Sequence, residues 1–247
     1  MEVFEDERID DLQFKGLKII QKKKGFCFGI DAVLLANFAN VSRDDAVLDL
    51  GTGTGIIPIL IAGHTEAKNI VGVEIQPHIA KMAKRSVDMN NLDDRIEVVN
   101  DDLKNIDQYM KHNSFDVVTT NPPYIKSNGG LKNTTDTKAI SRHEIKCTLE
   151  DVIRVATKLL KHNGQFFMVN RPERLVDIIT LMRKYKLEPK LVRFVYPSQN
   201  KNANLVLVKG IKGANHELKV VEPLYVYDED GNYTKEIDYI YNRGEEE

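Results

Sequence analysis

The chain has little with which to staple, anchor or metallate itself. It holds two cysteines, Cys27 and Cys147, far apart and outside any C-x-x-C pair, so neither a zinc site nor a thiol redox motif is expected. Both read as small packing residues. No apolar run approaches the ~20 residues that span a bilayer, and GIIPILIAG is far too short. The start, MEVFEDERIDD, is acidic where a signal peptide is basic and then apolar. The expectation is a cytoplasmic protein with no membrane partner, in a reducing compartment where a disulfide is not expected. His64, His78 and His112 show no metal-ligand spacing and read as surface residues, so no metal is expected. There is no internal repeat and no low-complexity linker. Strong charge of one sign is also missing: the net charge of −2 neither demands nor excludes a nucleic-acid partner. That average hides an uneven distribution, with a basic cluster at Lys22–Lys24 and three glutamates closing the chain.

What is present is ordinary material arranged with unusual regularity. Hydrophobic residues are 42% and charged residues 29% of 247, which suits one large α/β domain with small additions. LKIIQ reads as a strand near the start. It is followed by a Lys/Gly turn, the aromatic segment GFCFGI, and a helix running from Asp31, an N-cap candidate, through VLLANFA. An alternation then begins. AVLDLG, NIVGVEI, RIEVVN, FDVVTTN and GQFFMVN read as strands; GIIPILIAG, PHIAKMAKRSVDMNN, LEDVIRVATKLLK and RPERLVDIITLMRKY read as helices. LVRFVYP and NLVLVKG read as a closing pair of strands. Strands this apolar, separated by helices, predict a mostly parallel, doubly wound sheet covered on both faces. The tail from Leu218 reads as a hairpin turning at Asp230–Gly231.

In such sheets ligands bind beyond the C-terminal ends of the strands. VLDLGTGTG occupies that place on the first core strand, where Gly51, Gly53 and Gly55 let the backbone turn sharply and approach a ligand closely. The dinucleotide fingerprint G-x-G-x-x-G fails because Ile56 stands where its third glycine belongs, and the P-loop fails because no Gly-Lys-Ser/Thr follows. Asp49, two residues before the first glycine, would repel a diphosphate but favours an amine-bearing or cationic ligand. The pattern D-x-G-x-G-x-G resembles the class I S-adenosylmethionine-dependent methyltransferases. The resemblance implies their Rossmann-like sheet, mostly parallel with an antiparallel closing strand, to which LKIIQ and the tail hairpin add small N- and C-terminal β elements. It also implies S-adenosyl-L-methionine as cofactor, with Asp49, Gly51, Gly53 and Gly55 around it. Glu74, at the end of the second core strand, would lie on the ribose hydroxyls, and Asp102 on the adenine amino group, with Asp101 the adjacent alternative.

The fourth core strand runs into NPPY. Two prolines hold φ near −65°, and the residue before a proline is pushed to an extended backbone. Asn121 and Pro122 therefore offer one side-chain and one backbone carbonyl as neighbouring acceptors, with the flat face of Tyr124 beyond Pro123. Two acceptors and a ring suit a planar –NH2 group. Hydrogen bonds to both N–H groups would localise the nitrogen lone pair and stabilise the charge that grows as nitrogen attacks a sulfonium methyl, and Tyr124 would stack on the base. NPPY resembles the motif of amino-directed methyltransferases, which implies catalytic roles for Asn121, Pro122, Pro123 and Tyr124, with Asn121 facing the cofactor methyl.

Several amine classes share that motif. Only 48 residues precede Asp49, too few for the helical domain of release-factor glutamine methyltransferases, and no large target-recognition domain of DNA adenine enzymes is visible. Across nearly the whole chain, IIQKKKGFCFGIDAVLLANFA, NPPY, SRHEIKCTLEDVIRVATKLL and VNRPERL resemble the bacterial tRNA(Val) adenine-N6-methyltransferase family. The resemblance implies transfer to N6 of the adenosine 3′ of the anticodon, hence tRNA, at its anticodon stem-loop, as partner; no obligate protein partner is expected. Protein glutamine N5, guanine N2, and a cofactor-binding RNA chaperone without turnover stand as alternatives. The polar stretch from Ile125 to Cys147 reads as a loop that orders on RNA. Arg142, His143 and Lys22–Lys24 are candidate phosphate contacts, Phe26 and Phe28 pocket or core residues, and Arg171 and Arg174 structural or RNA-facing residues. The expected organisation is one methyltransferase domain over 1–247: an N-terminal hairpin and helix (1–40), a Rossmann-like core (41–212) and a C-terminal hairpin tail (213–247).

Overall fold

The structure, a computed structural model, describes residues 2–24, 29–123 and 147–241. The expectations at Phe26, Cys27, Phe28, Tyr124, Arg142 and His143, and for nearly all of the 125–147 loop, lie outside the described residues. The core follows the alternation in the sequence: β3 (Ala46–Leu50), α2 (Ile56–His64), β4 (Asn69–Glu74), α3 (Pro77–Met89), β5 (Ile96–Asn100), β6 (Phe115–Thr120), α4 (Leu149–Leu159), β7 (Leu160–Asn170), α5 (Leu175–Lys184), β8 (Leu187–Tyr196) and β9 (Leu205–Lys212). Before it come β1 (Glu7–Asp11), β2 (Lys18–Lys22) and α1 (Ile30–Phe38). After it come β10 (Lys219–Val220), β11 (Leu224–Tyr225) and α6 (Lys235–Ile240).

A nine-stranded sheet runs β10-β8-β9-β7-β6-β3-β4-β5, with β11 also pairing with β8. β3 to β7 are parallel to one another, and β9 is antiparallel to both β7 and β8. The order reverses between β3 and β6, the crevice where doubly wound sheets bind ligands. Adjacent residues of the central strands go to opposite faces. Val47, Val117 and Phe167 join the core made with α1, α2 and α3, while Leu48, Val118 and Phe166 join the one made with α4 and α5. Burial on both faces is why these strands read as unbroken apolar runs. α1 is buried from Asp31 to Ala36 because α2, the sheet and α6 enclose it.

β1 and β2 form a separate antiparallel hairpin. Polar side chains of α3 replace a third strand. Ser86 Oγ accepts from Ile20 N at 3.0 Å, and Asn90 both accepts from Lys18 N at 2.9 Å and donates to Lys18 O at 2.7 Å. Arg85 completes the attachment with two 2.7 Å hydrogen bonds to the buried Glu7. Those bonds hold the Glu7 carboxyl down at about 2, against the opposing effect of burial.

Two local expectations change. Asp31 is not the N-cap of α1: Gly29 is, in extended conformation, and Asp31 lies in the first turn. The tail is not a two-stranded hairpin. It does turn at Asp228–Gly231, but only one bridge, Tyr227 to Tyr233, spans the turn. Its earlier segments pair in parallel with β8, and Lys235–Ile240 is helical.

The Glu7–Arg85 pair makes stability acid-sensitive. Its contribution is fully present above the ordinary glutamate value of 4.5 and is lost as pH falls toward about 2. Arg85→Ala is expected to lower stability by about 2–3 kcal/mol at pH 7. Urea unfolding should show the difference shrinking below pH 4.

Candidate active site

The site is built where β3 and β6 end. In the parallel register Leu50 lies opposite Thr120, so Gly51 and Asn121 leave the sheet side by side. Two threonines clip the strands together beyond the ladder: Thr119 Oγ1 donates to Asp49 Oδ1 at 2.7 Å, and Thr120 Oγ1 donates to Leu50 O at 2.9 Å. The glycine turn then takes a path that side chains resist, with φ of 76°, 57° and 88° at Gly51, Gly53 and Gly55. It is tied to β4 by Gly51 N and Thr52 N, which both donate to Val73 O, and by Gly53 N, which donates to Glu74 Oε2 at 3.1 Å. A Cβ at Gly51 or Gly53 would meet nothing within 4 Å, so the space beside the turn is open.

Asp49 is completely buried, yet its Oδ2 has no hydrogen-bond partner, and neither does the Oγ1 of Thr52. Burial pushes the Asp49 carboxyl up to about 6, and the negative charge of Glu74 pushes the same way. The hydroxyls of Thr119 and Thr52 pull it back, the second from a position that does not satisfy hydrogen-bond geometry. A buried carboxylate oxygen lacking a donor calls for a cationic or N–H-bearing ligand group. Glu74 is buried at the end of β4, with Oε2 on Gly53 N and Oε1 on Gln76 N at 2.8 Å. Each oxygen retains a lone pair for a hydroxyl donor. Asn100 holds this strand end by donating to Glu74 O at 2.7 Å.

Asp101 and Asp102 follow β5 and differ in occupation. Asp101 accepts from Asp102 N, Asn105 Nδ2 and the Tyr109 hydroxyl, which keep its carboxyl below the usual range, the tyrosine foremost. Asp102 accepts from Lys104 N at 3.0 Å and lies 3.5 Å from the Lys104 ammonium. Asp102 is thus the less committed of the two.

Asn121 and Pro122 are half-buried and Pro123 is exposed. The Asn121 side chain reaches a residue that sequence reasoning treated only as a helix cap: its Nδ2 donates to Asp31 Oδ2 at 3.1 Å. Asp31 Oδ1 turns back on its own helix and accepts from Ala32 N at 3.0 Å. A Cβ on Gly29 would stand 2.8 Å from that oxygen, which is why glycine suits the cap position. An acid inside the apolar run IDAVLLANF, and two buried threonines before NPPY, were the available signals for these supporting residues.

Other candidates have structural work. Lys22 pairs with Asp6 at 2.6 Å, and Lys23 donates to Glu5 O, so two lysines of that cluster are engaged within the hairpin itself. Arg171 donates to Asn204 O and Arg174 to Asp177. His78 and His112 are exposed, as expected, whereas His64 is half-buried, its ring tilted against Phe14 with centroids 4.0 Å apart, and shifted toward its neutral form by desolvation. Among the described residues no group of His, Cys, Asp and Glu is placed to hold a metal, and no helix is long and apolar enough to cross a membrane.

A family model described as "Methyltransferase small domain" matches residues 28–185. A protein of Bacteroides thetaiotaomicron named tRNA1(Val) (adenine(37)-N6)-methyltransferase is 34% identical over 176 residues, 71% of this chain and 72% of its own. One of the same name from Dyadobacter fermentans is 28% identical over 223 residues, 89% of this chain and 90% of its own. Among solved structures, one described as a predicted O-methyltransferase, Atu636 from Agrobacterium tumefaciens, aligns with TM-score 0.71 at 24% identity, over 86% of this chain and 95% of that one. P. horikoshii TYW2 in complex with MeSAdo aligns with TM-score 0.60 at 16% identity, over 85% and 73%. These two likenesses concern the fold.

The raised Asp49 carboxyl generates a prediction for the ligand-free protein. Its destabilising effect is absent below 3.8, where folded and unfolded chains are both protonated, grows as pH rises, and is complete above about 6. Asp49→Asn is expected to be more stable than wild type by up to about 3 kcal/mol at pH 8 and indistinguishable from it near pH 3.5. Urea melts at the two pH values check this; an equal gap at both would contradict it.

Proposed function

We propose, from the fact that this chain belongs to the methyltransferase small domain family, that it transfers a methyl group from S-adenosyl-L-methionine to the exocyclic N6 of an adenine in tRNA. The finer assignment, adenine 37 of tRNA1(Val), in the anticodon loop, follows the names carried by the relatives from B. thetaiotaomicron and D. fermentans. Residues 1–247 act as one methyltransferase domain, and a tRNA substrate places it in the cytoplasm. Nothing favours the glutamine-N5, guanine-N2 or chaperone alternatives. The single observation that carries the reading is the register of β3 on β6, which sets the glycine turn and Asn121 side by side at the sheet's switch point.

S-adenosylmethionine, when bound, supplies an electrophilic methyl group on a positively charged sulfur. Asp49 Oδ2, with no donor of its own, takes the amino group of the cofactor, and the open turn at Gly51, Gly53 and Gly55 admits its backbone approach. Glu74 takes the ribose hydroxyls and Asp102 the adenine amino group. Asn121 Oδ1 and Pro122 O accept the two N–H bonds of the target amine, keep its lone pair directed, and stabilise the positive charge that develops on nitrogen. Neither carbonyl is a strong base, so the proton leaves late, to solvent. Most of the acceleration is positioning. A base in a single-stranded loop is cheap to unstack.

The test separates binding from transfer. Asn121→Ala is expected to keep cofactor affinity within about threefold and to lower methyl transfer to tRNA by about a hundredfold or more. Calorimetry with cofactor, beside incorporation of labelled methyl into tRNA, reads both. Undiminished transfer would remove Asn121 from the mechanism.

A further inference from the structure

The geometry points to Asp31 as a positioning residue that fixes which end of the Asn121 amide faces the transferred methyl. This deepens the proposed methyl transfer and rests on that reading. An asparagine amide is nearly symmetrical in shape but opposite in chemistry at its two ends: the carbonyl accepts and the NH2 donates. For Asn121 to receive an amine, the carbonyl must be the end presented. Presented the other way, its NH2 would oppose the N–H groups of the target and repel it.

Asp31 decides the matter by chemistry. The residue is nine-tenths buried in α1, and Oδ2 lies 3.1 Å from Asn121 Nδ2 across 90 residues of sequence. A carboxylate only accepts, so the end of Asn121 that meets it must be the NH2. The carbonyl then occupies the other corner of the amide plane. The carboxylate is itself held: Oδ1 accepts from Ala32 N, and the absence of a side chain at Gly29 leaves that oxygen its place. α1 in turn is enclosed by α2, β7, β9 and α6, so the anchor cannot drift. A negative charge behind the NH2 also polarises the amide, leaving more electron density on the carbonyl oxygen, where positive charge on the target nitrogen must be stabilised.

The experiment is a double-mutant cycle on the full chain with cofactor and tRNA. Asp31→Ala should lower kcat about 10- to 100-fold, with cofactor affinity and KM for tRNA within about threefold of wild type. Asp31→Asn, whose carbonyl still accepts from Asn121 but whose own amide can turn over, should lose less, about three- to tenfold. In the Asp31→Ala/Asn121→Ala double variant the loss should match that of Asn121→Ala alone within about twofold, because the first residue acts only through the second. In the ligand-free protein, the side-chain amide protons of Asn121, followed by NMR, should exchange with solvent at least about tenfold faster in Asp31→Ala than in wild type. Losses that multiply in the double variant, a kcat for Asp31→Ala within twofold of wild type, or unchanged amide exchange would each overturn the assignment. So would a fall in cofactor affinity or melting temperature that accounts for the whole loss, which Asp31→Asn would then share. A wild-type protein that methylates no tRNA adenine would instead overturn the functional reading itself, and is distinct from an active enzyme indifferent to Asp31.

Discussion

The pairing of β3 with β6 is the constraint on which the rest depends. It is set by a parallel ladder from Val47–Val117 to Leu50–Thr120 and locked by two threonine hydroxyls that reach across at its end. A slip of one residue would send Val47 and Val117 to the wrong face and bury polar groups in their place. It would also part the glycine turn from Asn121. The apolar alternation that stabilises the sheet therefore fixes the geometry of the crevice as well, and the same strands carry both the fold and the site.

The crevice holds destabilising features that the fold supports. Asp49 is buried with one oxygen unpartnered, three glycines adopt positive φ, and an acid sits inside the apolar helix α1. Asp49 is costly in the ligand-free chain, the glycines leave open space beside their turn, and Asp31 is met within the chain by the Asn121 amide. Local violations of packing rules concentrate where chemistry is proposed. Elsewhere buried charge is paired, as Glu7 with Arg85 and Asp107 with Lys158 and Arg154.

The central sheet was legible in the sequence because strands buried on both faces leave unbroken apolar runs, and Gly51–Gly55 and NPPY mark two strand ends directly. The remainder depended on tertiary contacts. β10 is exposed on both residues and pairs with β8 through its backbone, so no side-chain pattern announces it. α6 is six residues long, too short to show a helical period. Asp31 looked like a cap because an acid preceding an apolar run usually is one. Its use by Asn121 is invisible until α1 is folded against the end of β6. Lys22 and Lys23 read as a basic patch, but the Asp6 carboxylate and the Glu5 backbone carbonyl that engage them lie across a hairpin turn.

In the proposed reaction this switch-point crevice methylates an adenine amino group in RNA. Nucleoside mass spectrometry of unmodified tRNA, before and after incubation with the protein and S-adenosylmethionine, tests it most directly. A new N6-methyladenosine signal is expected, with no methylated guanosine. A label that appears on guanosine or on protein, or tRNA left unchanged by a folded, cofactor-binding enzyme, would contradict it.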